Sequence, residues 1–257
     1  MNNISTPIIS IQNVCKTFNH LSSKKLEVLN GVNLDIYRGD SVGIIGYSGC
    51  GKTTLLRIIC GFEKCDSGTV YFEGKPKFSP NKKMLMLFQG FDQLFPWKTV
   101  LQNVMHPLLA TGFVKDKKSA KQHALKYLQD VELSGFENLY PHELSGGMKQ
   151  RVAVARALAL QPCALLLDEP FASLDNITRR SLQNLTCDVC DKHNITTVFV
   201  THSVEEAVRM ATKIVVMNRR GNIEHIFENA YRQQNDCDEK SLLVIEITKL
   251  IDALKSK

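Results

Sequence analysis

Short apolar runs recur along the chain, with helical patterns set between them. Ser41 to Ile45, Ala164 to Leu167, Thr197 to Val200 and Ile214 to Met217 are compact stretches with little alternation of polar and apolar positions. Such runs read as strands buried on both faces, the pattern of a parallel sheet. Between them the spacing predicts helices over Thr53 to Cys60, Met148 to Leu160, Arg179 to Lys192 and Val204 to Met210. Strands alternating with helices predict an α/β fold.

The residues that follow each strand carry the chemistry. The first run leads into Gly46-Tyr47-Ser48-Gly49-Cys50-Gly51-Lys52-Thr53, the second into Asp168-Glu169-Pro170, the third into Thr201-His202. Ligands of an open parallel sheet bind beyond the carboxyl ends of its strands. Glycines, a lysine, two carboxylates and a histidine are therefore expected at one edge.

Residues 46 to 53 fit G-x-x-x-x-G-K-[ST], a phosphate-binding loop, and Thr54 continues it. Glycines let successive backbone N–H groups turn inward onto phosphate oxygens. Lys52 supplies a fixed positive charge for the β- and γ-phosphates. The Thr53 hydroxyl can ligate Mg²⁺, and the following helix adds the positive end of its dipole. Average residue frequencies give a chance match on the order of 1% over this length. Its place between a buried strand and a helix lowers that further. Asp168 closes a buried strand and is the natural anchor for the metal; Glu169 beside it can activate a water for attack on the γ-phosphate.

A phosphate loop alone leaves kinases, GTPases, helicases and motors open. Leu144-Ser145-Gly146-Gly147-Met148-Lys149-Gln150 narrows the field. It is a second serine and glycine turn opening a helix, hence a second anion site at a helix start. The segment resembles the LSGGQ signature of the ABC ATPases. That resemblance implies a P-loop NTPase (RecA-like) parallel-sheet core with an N-terminal antiparallel β subdomain and an inserted α-helical subdomain. It also implies a homodimer in which the signature residues Ser145, Gly146 and Gly147 of one copy close over ATP held by residues 46 to 54 of the other. Other positions match the family in order. Phe18 matches the aromatic that stacks on adenine, Gln89 the glutamine that reaches Mg²⁺ and the attacking water. Ser173-Leu174-Asp175 matches the loop that crosses the dimer interface, and His202 the histidine that holds the γ-phosphate. The match runs from about residue 8 to 220. Tyr47 stands where proline is common, Gly90 where a polar residue is usual, and Ser203 where aspartate is frequent.

Within that family, Gly90-Phe91-Asp92-Gln93-Leu94-Phe95-Pro96-Trp97-Lys98-Thr99-Val100 is unusually apolar for a connection. It is similar to the nitrate, sulfonate, taurine and bicarbonate importers. There the region forms part of the groove that receives a coupling helix of the membrane subunit. The resemblance thus implies an integral membrane permease and a substrate-binding protein as partners, with ATP and Mg²⁺ as cofactors. A soluble ABC-type assembly ATPase of the iron–sulfur type would share every nucleotide motif and lack the Pro96-Trp97 feature. A DNA- or ribosome-acting member usually carries two nucleotide domains or long insertions, which 257 residues do not hold.

Composition changes this picture little. The formal charge of +6 is scattered, and its densest cluster, Lys115, Lys117, Lys118, Lys121 and Lys126, reads as a wet helix face rather than a nucleic-acid surface. No apolar run is long enough to span a bilayer, and the first seven residues lack the marks of a secretory signal. The expectation is a cytoplasmic protein, peripheral on the cytoplasmic face of the cell membrane. Eight cysteines in such a chain are expected as thiols, and Cys187-x-x-Cys190 with His193 falls on a helix without a fourth zinc ligand at matching spacing. The expected organisation is a nucleotide-binding domain over 1–230, its helical subdomain near 91–147, and a helical tail over 231–257. In the tail Leu242, Leu243, Ile245, Ile247, Leu250, Ile251 and Leu254 supply an apolar face to pack on the core.

Overall fold

The computed structural model describes residues 6–19, 25–88, 93–172, 174–234 and 237–254. The chain forms two compact units, one from residues 1–81 with 196–257, the other from 82–195.

The first unit opens with β1 (Ile9–Asn19) and β2 (Lys25–Ile36), an antiparallel pair. Then β3 (Ser41–Gly46) runs into α1 (Lys52–Cys60), and β4 (Ser67–Phe72) and β5 (Lys75–Pro76) follow. The order β2-β1-β4-β5 makes an antiparallel sheet. Ile9, Ile11 and Val14 point inward from β1, and the odd step from Ile11 to Val14 is absorbed by a bulge at Asn13, whose φ is 50°.

The second unit begins with β6 (Met84–Leu87), which pairs in parallel with β7 (Ala164–Asp168). Between them lie α2 (Val100–Ala110), α3 (Lys117–Asp130) and α4 (Gly146–Leu158), which pack on one another; α5 (Asn176–Lys192) follows and packs on α4. On α3, Ala120, Ala124, Tyr127 and Leu128 form the buried stripe at helical spacing. Lys117, Lys118, Lys121 and Lys126 face solvent, as their pattern predicts. Cys187 and Cys190 are buried on the inner side of α5.

The chain then returns to the first unit as β8 (Thr196–Val200), α6 (Val204–Met210), β9 (Lys213–Met217), β10 (Ile223–Glu228) and α7 (Asp238–Ala253). Here β3 lies between β8 and β9, parallel to both, with β10 antiparallel on the outside of β9. Val42, Ile44, Val198, Val200, Val215 and Val216 are fully buried, so the continuous apolar runs are strands covered on both faces.

The tail forms α7 and packs against α6, but its apolar face is narrower than its sequence suggests. Leu243, Ile247 and Leu254 are buried, whereas Leu242 is 63% and Ile245 48% exposed. Residues 243, 247 and 254 share one side of a 3.6-residue helix; 242 and 245 fall on the other.

Candidate functional site

The phosphate loop sits where β3 ends. Gly46 has φ 155°, Gly49 82° and Gly51 98°, so three backbone positions take a conformation that side chains resist. At Gly51 space forbids a side chain as well: a Cβ would lie 2.5 Å from the Val28 carbonyl oxygen. Gly51 caps α1 with no side-chain partner, so the first N–H groups of the helix open toward the loop. Lys52 is 6% exposed, and its Nζ donates to the carbonyls of Gly46 at 2.8 Å and Tyr47 at 2.9 Å. The ammonium is thereby folded over the loop, which is the place a phosphate charge would occupy. Burial pushes the Cys50 thiol up, with the Lys52 charge opposing, so Cys50 fills space under the loop as a neutral group.

The neighbouring strand delivers His202 to the same edge. Thr201 N donates to Ile44 O at 3.1 Å, continuing the parallel ladder in which Ile44 faces Val200. His202 is exposed beyond it. The residues on either side are tied down. The buried Thr201 hydroxyl donates to Glu206 Oε2 at 3.0 Å and accepts Ser203 N at 3.1 Å, while Ser203 Oγ accepts Glu206 N at 3.2 Å as the cap of α6. The imidazole is thus presented at the surface from a fixed backbone.

Phe18 lies on the antiparallel sheet, opposite Leu26 in the β1–β2 ladder, and is 38% exposed. Lys16 Nζ stands 5.0 Å from its ring centroid, held by Glu63 Oε1 at 2.7 Å and the Lys64 carbonyl at 2.7 Å. The aromatic is thus presented at the surface on a salt-bridged base rather than packed as core.

In the second unit, Asp168 is 5% exposed at the end of β7. Glu169 follows with φ 43°, a left-handed conformation that costs a non-glycine residue on the order of 1–2 kcal/mol. Such strain persists where the surroundings require a side chain to point one way. Ser145 caps α4, accepting Met148 N at 3.3 Å, and Asp175 caps α5, accepting Ile177 N at 3.1 Å and Thr178 N at 3.0 Å. Hydrogen bonds from Thr178, the backbone one first, hold the Asp175 carboxyl below the usual carboxylate range. A Cβ on Gly147 would lie 2.6 Å from Thr178 Cγ2, so the two helix starts meet there with no room for a side chain. Ser145, Gly146, Gly147 and Asp175 are therefore one neighbourhood. Gln89, Gly90, Phe91, Asp92 and Ser173 lie outside the described residues.

The apolar connection before α2 splits in two. Leu94 is buried and fills the interior, while Trp97 is 69% exposed. Phe95 between them stacks edge-on to His106, 4.9 Å between ring centroids, and lies 5.6 Å from the Trp97 ring. Two residues that the motifs do not mark organise this segment. Asn103, fully buried on α2, bonds the backbone of Phe95, Lys98 and Thr99. Arg156 on α4 donates to Gln93 O at 2.6 Å, its guanidinium 5.9 Å from the Phe95 ring. An asparagine inside the apolar run Val100-Leu101-Gln102-Asn103-Val104 is the one sequence signal that could have found the first.

A family model described as ABC transporter matches residues 29–172. An uncharacterized ABC transporter ATP-binding protein of Methanocaldococcus jannaschii is 42% identical over 97% of this chain and 92% of its own. An aliphatic sulfonates import ATP-binding protein of Bacillus thuringiensis is 41% identical over 86% of each. A bicarbonate transport ATP-binding protein of Synechocystis is 40% identical over 81% of this chain, which spans 31% of that longer relative. Among solved structures, a dimeric ATP-binding cassette in a post-hydrolysis state bound to ADP and phosphate superposes with TM-score 0.75 at 32% identity, covering 89% of this chain and all of that one. The Clostridium perfringens protein cbiO1, described as part of an ABC transporter complex, superposes with TM-score 0.79 at 25% identity, covering 96% and 95%.

Proposed function

The chain belongs to the ABC transporter family as an ATP-binding, ATP-hydrolysing cassette with the P-loop NTPase fold, and on that premise we propose that it powers an importer through a membrane-embedded partner. Two copies close around ATP, and hydrolysis releases them. In the first unit, residues 46–54 hold the phosphates, Phe18 stacks on adenine, His202 holds the γ-phosphate and orients the water, and the Thr53 hydroxyl offers a ligand to magnesium. In the second unit, Asp168 offers a carboxylate to magnesium and Glu169 takes the proton of the attacking water. Gln89 completes the reading as a metal- and water-facing side chain. Ser145, Gly146, Gly147 and Asp175 face the nucleotide of the opposite copy. Magnesium, when bound, screens the phosphate charges and helps align the γ-phosphate.

The observation that carries the importer reading is the exposed Trp97 beside Phe95, on a turn fastened from beneath by Asn103. A large aromatic held rigidly at the surface of the helical segment 91–147 is costly to leave in water and suits a protein partner. No helix among the described residues is long and apolar enough to cross a membrane, which agrees with a subunit that reaches the bilayer through a permease. The relatives named for sulfonate and bicarbonate import favour a small anion such as nitrate, sulfonate, taurine or bicarbonate as cargo, with a substrate-binding protein in the same system. The soluble assembly-ATPase alternative leaves the exposed Trp97 without a purpose.

The test is a mild-detergent pull-down of tagged protein from native membranes, followed by mass spectrometry. An integral membrane subunit is the expected companion, placing the chain at the cytoplasmic face. Only soluble partners in the eluate would overturn the importer reading and leave the ATPase intact.

A further inference from the structure

Tyr47 directly follows β3 and lies in the phosphate loop itself, yet its side chain is occupied elsewhere. Its hydroxyl donates to the Ile251 carbonyl in the last turn of α7 at 2.5 Å, and the Arg219 guanidinium lies 5.0 Å from its ring centroid. The acceptor is apt. The last carbonyls of a helix lack i+4 partners within it, and Ile251, which also accepts the Leu254 N–H at 3.1 Å, is among them. Leu254 in turn lines a hollow with Asn218, Arg219, Arg220 and Glu224.

The same residue is the hub of the loop's backbone. The Tyr47 carbonyl accepts both the Cys50 N–H at 3.2 Å and Lys52 Nζ at 2.9 Å. Gly46 and Gly49 on either side give the chain little stiffness of its own. Whatever fixes the Tyr47 side chain therefore fixes the carbonyl that orients Lys52. Moreover, α7 packs on α6, the helix that begins just after His202. One tail helix thus touches the loop that grips phosphate and the helix that follows the γ-phosphate candidate.

We propose that Tyr47 is a positioning residue that anchors the phosphate loop to α7, making the C-terminal helix part of the nucleotide-binding machinery. The proposal rests on the phosphate-binding role of residues 46–53 given above. By linkage, a helix that steadies the loop for nucleotide is itself steadied when nucleotide binds.

The experiment uses full-length protein, Mg-ADP as probe, and the variants Tyr47→Phe and Lys52→Ala. Calorimetry gives the affinity, and amide hydrogen exchange follows residues 244–254 with and without Mg-ADP. In the wild type, Mg-ADP should slow exchange in that segment. In Tyr47→Phe the slowing should vanish and the affinity fall about 3- to 10-fold, the net worth of one hydrogen bond. A role confined to general stability would not remove a nucleotide-dependent change in α7. No slowing in the wild type, or equal slowing in Tyr47→Phe, overturns the anchor; the wild-type measurement needs no variant. If Lys52→Ala loses affinity while Tyr47→Phe behaves as wild type, the anchor fails and the phosphate loop stands. If Lys52→Ala binds normally, the phosphate reading itself fails, and the anchor with it.

Discussion

Asn103 holds Phe95 by both of its backbone groups: its Oδ1 accepts the Phe95 N–H at 2.8 Å and its Nδ2 donates to the Phe95 carbonyl at 3.2 Å. The same Nδ2 lies 3.0 Å from the carbonyls of Lys98 and Thr99, so one buried amide closes the turn that carries Trp97. Asn103→Leu removes these bonds and strands part-buried backbone groups, at a cost of roughly 1–2 kcal/mol. Trp97 is the only tryptophan, so its fluorescence reports this turn alone. Expected are a lower urea midpoint and a fall in Trp97 anisotropy, with ATP turnover of the isolated protein little changed. An unaltered anisotropy would mean that the turn is held by other contacts, Arg156 first among them.

A second tie joins the ends of α3 and α5. Asp130 accepts Lys192 Nζ at 2.5 Å and His193 Nε2 at 2.8 Å, with its own side chain 7% exposed. Burial alone would raise its pKa, but the hydrogen bonds from Lys192 and His193 outweigh it, and the carboxyl stays below its ordinary range. A folded pKa below the unfolded one gives stability that is present above the unfolded value, near 4, and lost as pH falls through the folded value. Lys192 is largely exposed, so solvent screening discounts its share of that stability. Asp130→Asn should therefore cost roughly 1–2 kcal/mol at pH 7, and the gap to wild type should close below about pH 4. Thermal melts of both proteins from pH 3 to 7 measure it. A gap that stays constant across that range would show that charge is not the source.

The strands were legible because burial on both faces writes itself into composition: Ala164 to Leu167 can hardly be anything else, and the structure extends it only to Asp168. Helix starts were less so. Apolar periodicity predicts helices from Met148 and Arg179, whereas they begin at Gly146 and Asn176. The difference is the caps, Ser145 and Asp175, whose side chains satisfy helix N–H groups and so set the first turn irrespective of hydrophobicity. Motif spacing identified Lys52 and Gly147 without revealing what presses on them. Contacts between residues far apart in sequence, such as Tyr47 with Ile251, leave no periodic mark and needed the fold.

The glycines of the phosphate loop separate two physical demands. Gly49 has φ 82° with open space where a Cβ would stand, so Gly49→Ala meets only backbone strain, about 1 kcal/mol. Gly51 has φ 98° and a Cβ position 2.5 Å from Val28 O, so Gly51→Ala must also displace a neighbouring strand. Melting temperature and Mg-ADP affinity should drop modestly in the first variant and severely in the second. Equal losses would mean that conformation, not space, governs both positions.

The proposed division of labour between Lys52 and Glu169 predicts opposite failures. Lys52 is folded over the loop by two backbone carbonyls, so its charge is already placed for phosphate. Lys52→Ala should lose nucleotide affinity outright. Glu169 sits after the buried Asp168 in a left-handed conformation that the surroundings must enforce, which suits a group aimed at a reacting water. Glu169→Gln keeps size and backbone while removing the base. ATP should still bind, turnover should fall by about 100-fold or more, and the ATP-bound dimer should accumulate on size exclusion, because in the proposed cycle hydrolysis is what separates the copies. Wild-type turnover in Glu169→Gln would mean that the water gives its proton elsewhere, and Lys52→Ala with unchanged ATP affinity would remove the phosphate loop from the site altogether.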